Sequence, residues 1–471
     1  MDEESRMAQF NNLYAHGMVR VAAASPRVHL ADPASNAKET LSLFKQADKA
    51  GAALLVCPEL GLSGYAIDDL HMQAALLDAV EEAIASLVKA SRQLTPVLLV
   101  GAPVCAGDAI HGGAIAIHKG RILGVVPKTY LPNYREYYEK RQFAEAAHAQ
   151  TDAITLCGQT VPFSTDLIFE ASDLPGFRLG VEICEDLWAP IPPSSRLALA
   201  GATVIANLSA SNITIGKAEE RAMLCISQSN RSMCGYIYAA AGYGESTTDV
   251  AWDGQVSIYS QGRMLAESER FAQQATLLCA DIDLEQITQD RLRNPTFRDC
   301  ARNEDAGFGV QHISLALSPP VDAELPLLRA PDRFPYVPDD PARLDHDCYE
   351  AYNIQVQGLQ RRLEAANIKR AVIGVSGGLD STQALLVAVR AFDLMKRDRK
   401  DIIAVTMPGF ATTDETKTNA HALMKELGVT AREVDIKPLA EQMLADIGHP
   451  YAKGKKVYDI TFENVQAGLR T

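Results

Sequence analysis

Three side chains of different reactive type stand where apolar, β-branched runs give way to polar residues. Cys184 follows Phe177-Arg-Leu-Gly-Val-Glu-Ile, Glu59 follows Leu54-Leu-Val-Cys-Pro, and Lys128 follows Gly124-Val-Val-Pro. Reactive groups collect at strand ends because the sheet holds them rigidly while the next turn exposes them. Together the three could perform acyl transfer. A thiolate attacks a carboxamide carbon, the carboxylate takes the thiol proton and returns it to the leaving ammonia, and the lysine stabilises the oxyanion. The resulting thioester is then hydrolysed by water. A cation beside a thiol of ordinary pKa near ~8.5 is also expected to raise its thiolate fraction. Singly, such residues are more often a buried thiol, a solvated lysine or an ordinary Pro-Glu turn.

A second constellation is Ala371-Val-Ile-Gly-Val-Ser376-Gly377-Gly378-Leu379-Asp380-Ser381-Thr382, a strand running through a glycine turn into a helix. Gly377 and Gly378 are expected to adopt backbone angles that aim several amides at one point before the helix N-terminus, a geometry that binds anions. Ser376, Ser381 and Thr382 add hydroxyl donors. Asp380 opposes a bare phosphate and is better read as a magnesium ligand. No Gly-Lys-Ser/Thr follows, so this is not a Walker loop.

The elements that must position these residues are legible as alternation. Strands are predicted over Val19 to Ala24, Ala53 to Cys57, Val97 to Gly101, Gly113 to His118, Arg178 to Ile183 and Thr203 to Leu208. Helices are predicted over Asn36 to Ala50, Asp78 to Arg92 and Lys217 to Asn230. Turn signals at Asp253-Gly254 and Gln261-Gly262 predict hairpins between Trp252 and Met264. Prolines 319, 320, 326, 331, 335, 338 and 341 then crowd one stretch, which predicts a semi-rigid connector over 313–347 between domains 1–312 and 348–471. Beyond it, helices are expected over Tyr349 to Asn367, Ser381 to Lys396 and Thr413 to Leu427, with strands over Arg370 to Val375, Ile402 to Thr406 and Thr430 to Ile436. This is the start of a doubly wound α/β domain.

At 471 residues, more than one core is expected. A composition of 47% hydrophobic and 22% charged residues is that of a globular chain. The formal charge of −14 argues against a grip on nucleic acid or anionic lipid. No run approaches the ~20 apolar residues of a membrane span, and the polar N-terminus is unlike a signal peptide, so a cytoplasmic protein is expected. Nine cysteines without CxxC spacing indicate neither a disulfide framework nor a zinc site.

The words around the first three residues carry a family resemblance. Cys57-Pro-Glu-Leu-Gly-Leu-Ser-Gly-Tyr65, Pro127-Lys-Thr-Tyr-Leu-Pro-Asn-Tyr134 with Glu136, and Gly180-Val-Glu-Ile-Cys-Glu-Asp-Leu-Trp188 together resemble the nitrilase superfamily of carbon-nitrogen hydrolases over roughly the first 310 residues. The resemblance implies an αββα sandwich, with Glu59 as general base, Lys128 as oxyanion stabiliser, Cys184 as nucleophile and Glu136 as a supporting second carboxylate. The segment Asn207-Leu-Ser-Ala-Ser-Asn-Ile-Thr-Ile-Gly-Lys217 resembles the wall that recognises glutamine in glutamine-hydrolysing members. This makes Ser211 and Lys217 glutamine contacts, with Tyr134 and Glu185 in the same pocket. Lysine at 217 stands where arginine is common, which offers a point charge rather than a bidentate fork.

Ser-Gly-Gly-Leu-Asp-Ser resembles the pyrophosphate loop of ATP pyrophosphatases, implying an adenine nucleotide alpha hydrolase-like fold that binds ATP and magnesium. The pair of domains, with Arg333-Phe-Pro-Tyr-Val-Pro338, Met407-Pro-Gly-Phe-Ala-Thr412 and Thr461-Phe-Glu-Asn-Val-Gln-Ala467, resembles glutamine-dependent NAD synthetases. The implied reaction adenylates nicotinic acid adenine dinucleotide and amidates it with ammonia released at Cys184, in a homo-oligomer. The resemblance stops at Thr471 and the chain has no Gly-Thr dipeptide, so the second domain is expected to be incomplete and the chain alone is expected to hydrolyse glutamine only. A non-catalytic nucleotide-binding subunit and a free-standing amidase are the alternatives.

Overall fold

The computed structural model describes residues 10–321, 323–329, 333–410 and 412–470. The first nine residues, Pro331, Ala411 and Thr471, all mentioned above, lie outside them. The chain divides into two compact units, Met1–Ala330 and Pro331–Thr471.

In the first unit the strands are β1 (Met18–Ser25), β2 (Leu54–Val56), β3 (Val97–Ala106), β4 (Ala109–His118), β5 (Arg121–Pro127), β6 (Ala153–Leu156), β7 (Gln159–Pro162), β8 (Leu167–Ala171), β9 (Arg178–Ile183), β10 (Val204–Ser209), β11 (Gly235–Ala240), β12 (Val256–Ser260), β13 (Arg263–Glu267), β14 (Thr276–Asp283) and β15 (Gln311–Leu315). One sheet runs β14-β1-β2-β3-β4-β5 and the other β13-β12-β11-β10-β9-β8-β15. Side-chain alternation makes the layers. Val19, Val21 and Ala23 of β1 pack with Val181, Ala206 and Ile237 of the other sheet, while Ala22 and Ala24 turn outward with Leu43, Phe44, Ile84 and Leu87. These last belong to helices Pro33–Lys49 and Ala74–Ala90. On the far side Leu197 and Cys225, from helices Pro193–Leu199 and Lys217–Arg231, pack on Tyr236 and Tyr238. The result is the αββα sandwich. Strands β9, β10 and β11 are parallel neighbours covered on both faces, hence their continuous apolar runs.

Two readings of the sequence need correction here. Of the two predicted turns, Gln261-Gly262 does join β12 to β13, with φ of +47° and +83°. Asp253-Gly254 turns no hairpin. Gly254 instead lets the chain pass Gly242, where an added Cβ would meet the Gly254 Cα at 2.5 Å. The connector predicted from residue 313 also begins later, because the first unit holds the start of the proline-rich stretch. β15 carries the second sheet to Leu315. Beyond it, Asn12 Nδ2 donates to the Pro320 and Ala323 carbonyls, and Arg20 Nη2 donates to the Pro326 carbonyl at 2.7 Å. Backbone carbonyls of a proline-rich chain remain acceptors, and buried polar groups of the first unit use them. At its other end a helix begins at Pro341, capped by Asp340. A proline at the first helical position starts a helix rather than preventing one.

The second unit has three parallel strands in the order β16 (Ala371–Gly374), β17 (Ile402–Thr406) and β18 (Thr430–Glu433). Leu363, Leu385, Phe392, Ile402, Ala404 and Met424 form its core with helices Pro341–Ala365, Leu379–Leu394 and Asp414–Glu426. Two further helices, Lys437–Asp446 and Ile460–Arg470, were not read from the sequence. No helix among the described residues is long and apolar enough to cross a membrane.

Candidate functional site

Glu59, Lys128 and Cys184 come from three strand ends and meet in the buried interior of the first unit, at 2%, 1% and 5% exposure. Lys128 follows β5 directly and Cys184 follows β9 directly, whereas Glu59 stands three residues past β2. The Glu59 turn lies tightly on β3. A Cβ on Gly101 would sit 2.4 Å from the Leu60 nitrogen and 2.5 Å from the Pro58 carbonyl oxygen, so only glycine allows this approach. Cys184 has a φ of +48°, a strained conformation for a side-chain-bearing residue. Two contacts hold it there. The Cys184 N–H donates to Asn207 Oδ1 at 3.3 Å, and the buried Asp186 accepts from the Ile183 N–H at 2.9 Å. Asp186 also accepts from the Tyr130 N–H at 2.8 Å, tying the cysteine turn to the segment that carries Lys128.

Lys128 Nζ donates to Glu59 Oε1 at 2.6 Å and to both carboxylate oxygens of Glu139 at 2.8 Å. Glu59 Oε2 accepts from the Ala210 N–H at 3.1 Å, and the Cys184 thiol hydrogen-bonds the Glu59 carboxyl. Burial disfavours every charge here, and the neighbours decide which survive. Burial alone would lower the Lys128 pKa, but the charges of Glu139 and Glu59 outweigh it and hold the ammonium ion well above its ordinary range. Glu59 has one cation and a second carboxylate nearby, so burial pushes its pKa up to about 7 despite Lys128. Burial, reinforced by Glu59, raises the Cys184 thiol. Lys128 acts in the expected direction, lowering the thiol's pKa, but burial and Glu59 outweigh it. The resting thiol is neutral, and the proton must be removed as attack occurs.

The second carboxylate is also corrected. Glu136 does not reach Lys128; its Oε1 accepts from Asn212 Nδ2 at 2.6 Å. Glu139, three residues later in a short 3-10 turn, takes the supporting role. Both lie in one segment, and the sequence did not distinguish which of them faces inward.

The residues expected to recognise glutamine fall into two hydrogen-bonded pairs and one isolated hydroxyl. Lys217 Nζ donates to Asn212 Oδ1 at 2.5 Å and lies over the rings of Trp188 and Tyr137, at 5.3 and 5.6 Å. Burial lowers its pKa. The Tyr134 hydroxyl donates to Glu185 Oε1 at 2.9 Å. Ser211 is 2% exposed, and its hydroxyl is buried with no hydrogen-bond partner among the described residues. Asn212, Tyr137 and Trp188 were missed; a signal existed in the adjacency of Asn212 to Ser211. Beside the site a cleft of about 570 Å³, open mouth included, is lined by Tyr65, Glu136, Glu139, His71 and Asp249 among others.

In the second unit the glycine loop joins β16 to helix Leu379–Leu394. Gly377 has a φ of +84°, and a Cβ there would meet the Thr416 carbonyl oxygen at 2.1 Å. Gly378 does not share this role: it is the extended N-cap, at φ −89° and ψ 170°. The hydroxyls brace the loop, with Ser376 Oγ accepting from the Gly378 N–H at 3.2 Å, and Ser381 Oγ and Thr382 Oγ1 donating to the Gly378 carbonyl at 3.0 and 2.9 Å. The first-turn amides of Leu379, Asp380 and Ser381 have no partner within the helix, which is the ready-made anion site of a helix N-terminus. A cleft of about 1080 Å³, open mouth included, is lined by Ser376, Gly378, Thr406, Met407, Thr416 and Arg470 among others.

The comparisons with known proteins agree with this division. A family model described as carbon-nitrogen hydrolase matches residues 20–292, and one described as NAD synthase matches residues 351–471. The glutamine-dependent NAD(+) synthetase of Mycobacterium tuberculosis is 54% identical over 463 residues, covering 98% of this chain and 68% of that protein. The Mycobacterium leprae protein of the same name is 52% identical over the same shares. A crystal structure of a glutamine-dependent NAD(+) synthetase from Cytophaga hutchinsonii, 21% identical, aligns with a TM-score of 0.50 over 96% of this chain and 71% of that one, a likeness of fold. With one model spanning the sandwich, the other spanning the phosphate-loop unit, and this identity to proteins that join both, the chain belongs to the family of glutamine-dependent NAD(+) synthetases.

Proposed function

We propose that Cys184 hydrolyses glutamine and that the ammonia released amidates nicotinic acid adenine dinucleotide after its adenylation at the Ser376–Thr382 loop. The observation that carries the first half is the buried contact of Lys128 Nζ with Glu59 at 2.6 Å beside a neutral, hydrogen-bonded Cys184 thiol. Glu59 accepts the thiol proton as the sulfur attacks the glutamine amide carbon. The oxyanion then forms beside the Lys128 ammonium, whose charge two carboxylates maintain. Collapse of the tetrahedral intermediate breaks the carbon-nitrogen bond, and Glu59 returns its proton to the departing ammonia. Water, deprotonated by Glu59, cleaves the thioester and releases glutamate. Lys217, Ser211, Tyr134 and Glu185 bind the amino-acid end, and the unpartnered Ser211 hydroxyl supports this because a buried polar group without a partner is costly until a ligand supplies one.

At the loop, the amides before helix Leu379–Leu394 and the hydroxyls of Ser376, Ser381 and Thr382 hold the ATP phosphates. The carboxylate of the dinucleotide displaces pyrophosphate from the α-phosphorus, and ammonia then displaces AMP. Magnesium fits here through Asp380, an exposed carboxylate beside the loop, since this ion is commonly held by one or two carboxylates plus substrate phosphates. It would neutralise phosphate charge. A homo-oligomeric, cytoplasmic enzyme is the setting this reading implies. The test is Cys184→Ala, expected to abolish glutamine hydrolysis while leaving ATP binding unchanged; hydrolysis at the wild-type rate in that variant refutes the reading.

A further inference from the structure

One buried carboxylate of the first unit has no part in the chemistry above. Glu245 lies between β11 and β12, is 7% exposed, and pairs with no cation among the described residues. A buried acid without a cation needs other partners. It has them in the backbone of a segment 180 residues earlier. Oε1 accepts from the Tyr65 N–H at 2.8 Å and Oε2 from the Ala66 N–H at 3.3 Å. Tyr65 is the one residue here whose two ends face different tasks. Its backbone is held by Glu245, and its hydroxyl donates to Glu139 Oε1 at 2.5 Å. That same oxygen accepts from Lys128 Nζ at 2.8 Å.

The platform under Glu245 is rigid. A Cβ on Gly244, at φ +100°, would meet the Val28 carbonyl oxygen at 2.1 Å, and the Val28 N–H donates to the Tyr243 carbonyl at 2.9 Å. Trp252 Nε1 donates to the Ser246 carbonyl at 2.7 Å, and its ring meets the Tyr65 ring edge-on with centroids 5.4 Å apart. The Tyr65 main chain and ring are thus both fixed from the segment after β11. The hydroxyl is left one position, on the carboxylate that keeps Lys128 charged and directed.

We propose that Glu245 is a positioning residue for glutamine hydrolysis, holding Tyr65 so that its hydroxyl keeps Glu139 in place against Lys128. The proposal rests on the glutaminase reading above. Glu245 touches neither Cys184 nor the wall around Lys217, so its loss acts on the oxyanion lysine and not on glutamine binding.

The test is a double-mutant cycle on glutamate release. Glu245→Gln keeps the side chain's size but replaces one acceptor oxygen with a donor, so one of the two backbone N–H groups loses its partner. It is expected to lower kcat about 10-fold, as small misplacements of catalytic groups do, with the KM for glutamine unchanged. In a Tyr65→Phe background the same substitution is expected to cost less than about two-fold more, because residues acting through one chain of contacts are not additive. A full 10-fold loss in that background, or an unchanged kcat in Glu245→Gln, overturns the proposal. Should Glu245→Gln not fold, Tyr65→Phe alone decides: a lowered kcat at constant KM supports the relay, and an unchanged kcat removes it. Cys184→Ala measured alongside separates the two levels. If that variant still hydrolyses glutamine, the glutaminase reading fails and the proposal with it; if it is inactive, the cycle speaks to Glu245 alone.

Discussion

At Glu59 two opposing demands are balanced by position. On the proposed mechanism the residue must be basic enough to take a proton from a thiol that burial has made less acidic, yet it sits 2.6 Å from an ammonium ion that stabilises its charged form. Burial outweighs the cation and moves its pKa up to about 7. Below that pH the carboxyl carries a proton and cannot accept another, so kcat/KM for glutamine hydrolysis is expected to rise with pH through about 7 rather than through the ordinary carboxylate range near ~4.3. A pH profile checks this; an acid limb at 4 to 5 would contradict it. Glu139 and Glu136 are distinguished by what they touch. Glu139→Gln removes the larger of the two carboxylate interactions that hold Lys128 ionised and is expected to lower kcat at least about 10-fold more than Glu136→Gln, whose partner is Asn212. Steady-state kinetics on the two variants decide it. Glu59, Lys128 and Cys184 could be singled out because each lies at or just past the end of an apolar run, and the structure brings the three together. The choice between Glu136 and Glu139 was not, because it depends on a 3-10 turn that no periodicity announces.

At the scale of elements, the glycine loop shows how one backbone angle shapes a binding site. Gly377→Ala would place a methyl group 2.1 Å from the Thr416 carbonyl at a φ of +84°. It is expected to destabilise the second unit by about 1–3 kcal/mol and to weaken ATP binding, whereas Gly378→Ala, at an extended N-cap, is expected to do far less. Calorimetry with ATP on both variants checks the contrast. Much at this scale was readable: β9 and β17 have the predicted bounds, since a β-branched run between polar residues allows little else. β6, β7, β8, β11, β14 and β15 were missed. β11 is Gly-Tyr-Ile-Tyr-Ala-Ala, in which glycine and alanines flank only three strong strand formers, and its place is fixed by pairing with β10. Helix Lys437–Asp446 was missed because Pro438 looks like a breaker, although it stands in the first helical turn.

For the molecule as a whole, the two compact units divide within the proline-rich stretch that composition marks, but how far the first unit's packing extends into that stretch was not legible. That extent depends on a buried ion pair far away in sequence. Arg20 and Asp281, 4% and 2% exposed, pair at 2.8 Å across β1 and β14. Their remaining groups take the Pro326 carbonyl and the Leu328 N–H, holding the chain onto the sandwich. Asp281→Asn leaves a buried guanidinium without its counter-charge and is expected to destabilise the first unit by about 3–5 kcal/mol. Denaturant unfolding followed by Trp188 and Trp252 fluorescence measures this, since both tryptophans of the chain lie in that unit. An unchanged midpoint would mean the pair contributes nothing net.

The central claim is that glutamine is opened by Cys184. The most direct measurement is to mix the protein with glutamine, quench it in acid during turnover, and map the modified peptide by mass spectrometry. The account predicts a glutamyl thioester on Cys184, absent from Cys184→Ala along with glutamate release. An adduct on another of the nine cysteines, or glutamate released by the variant at the wild-type rate, would contradict it.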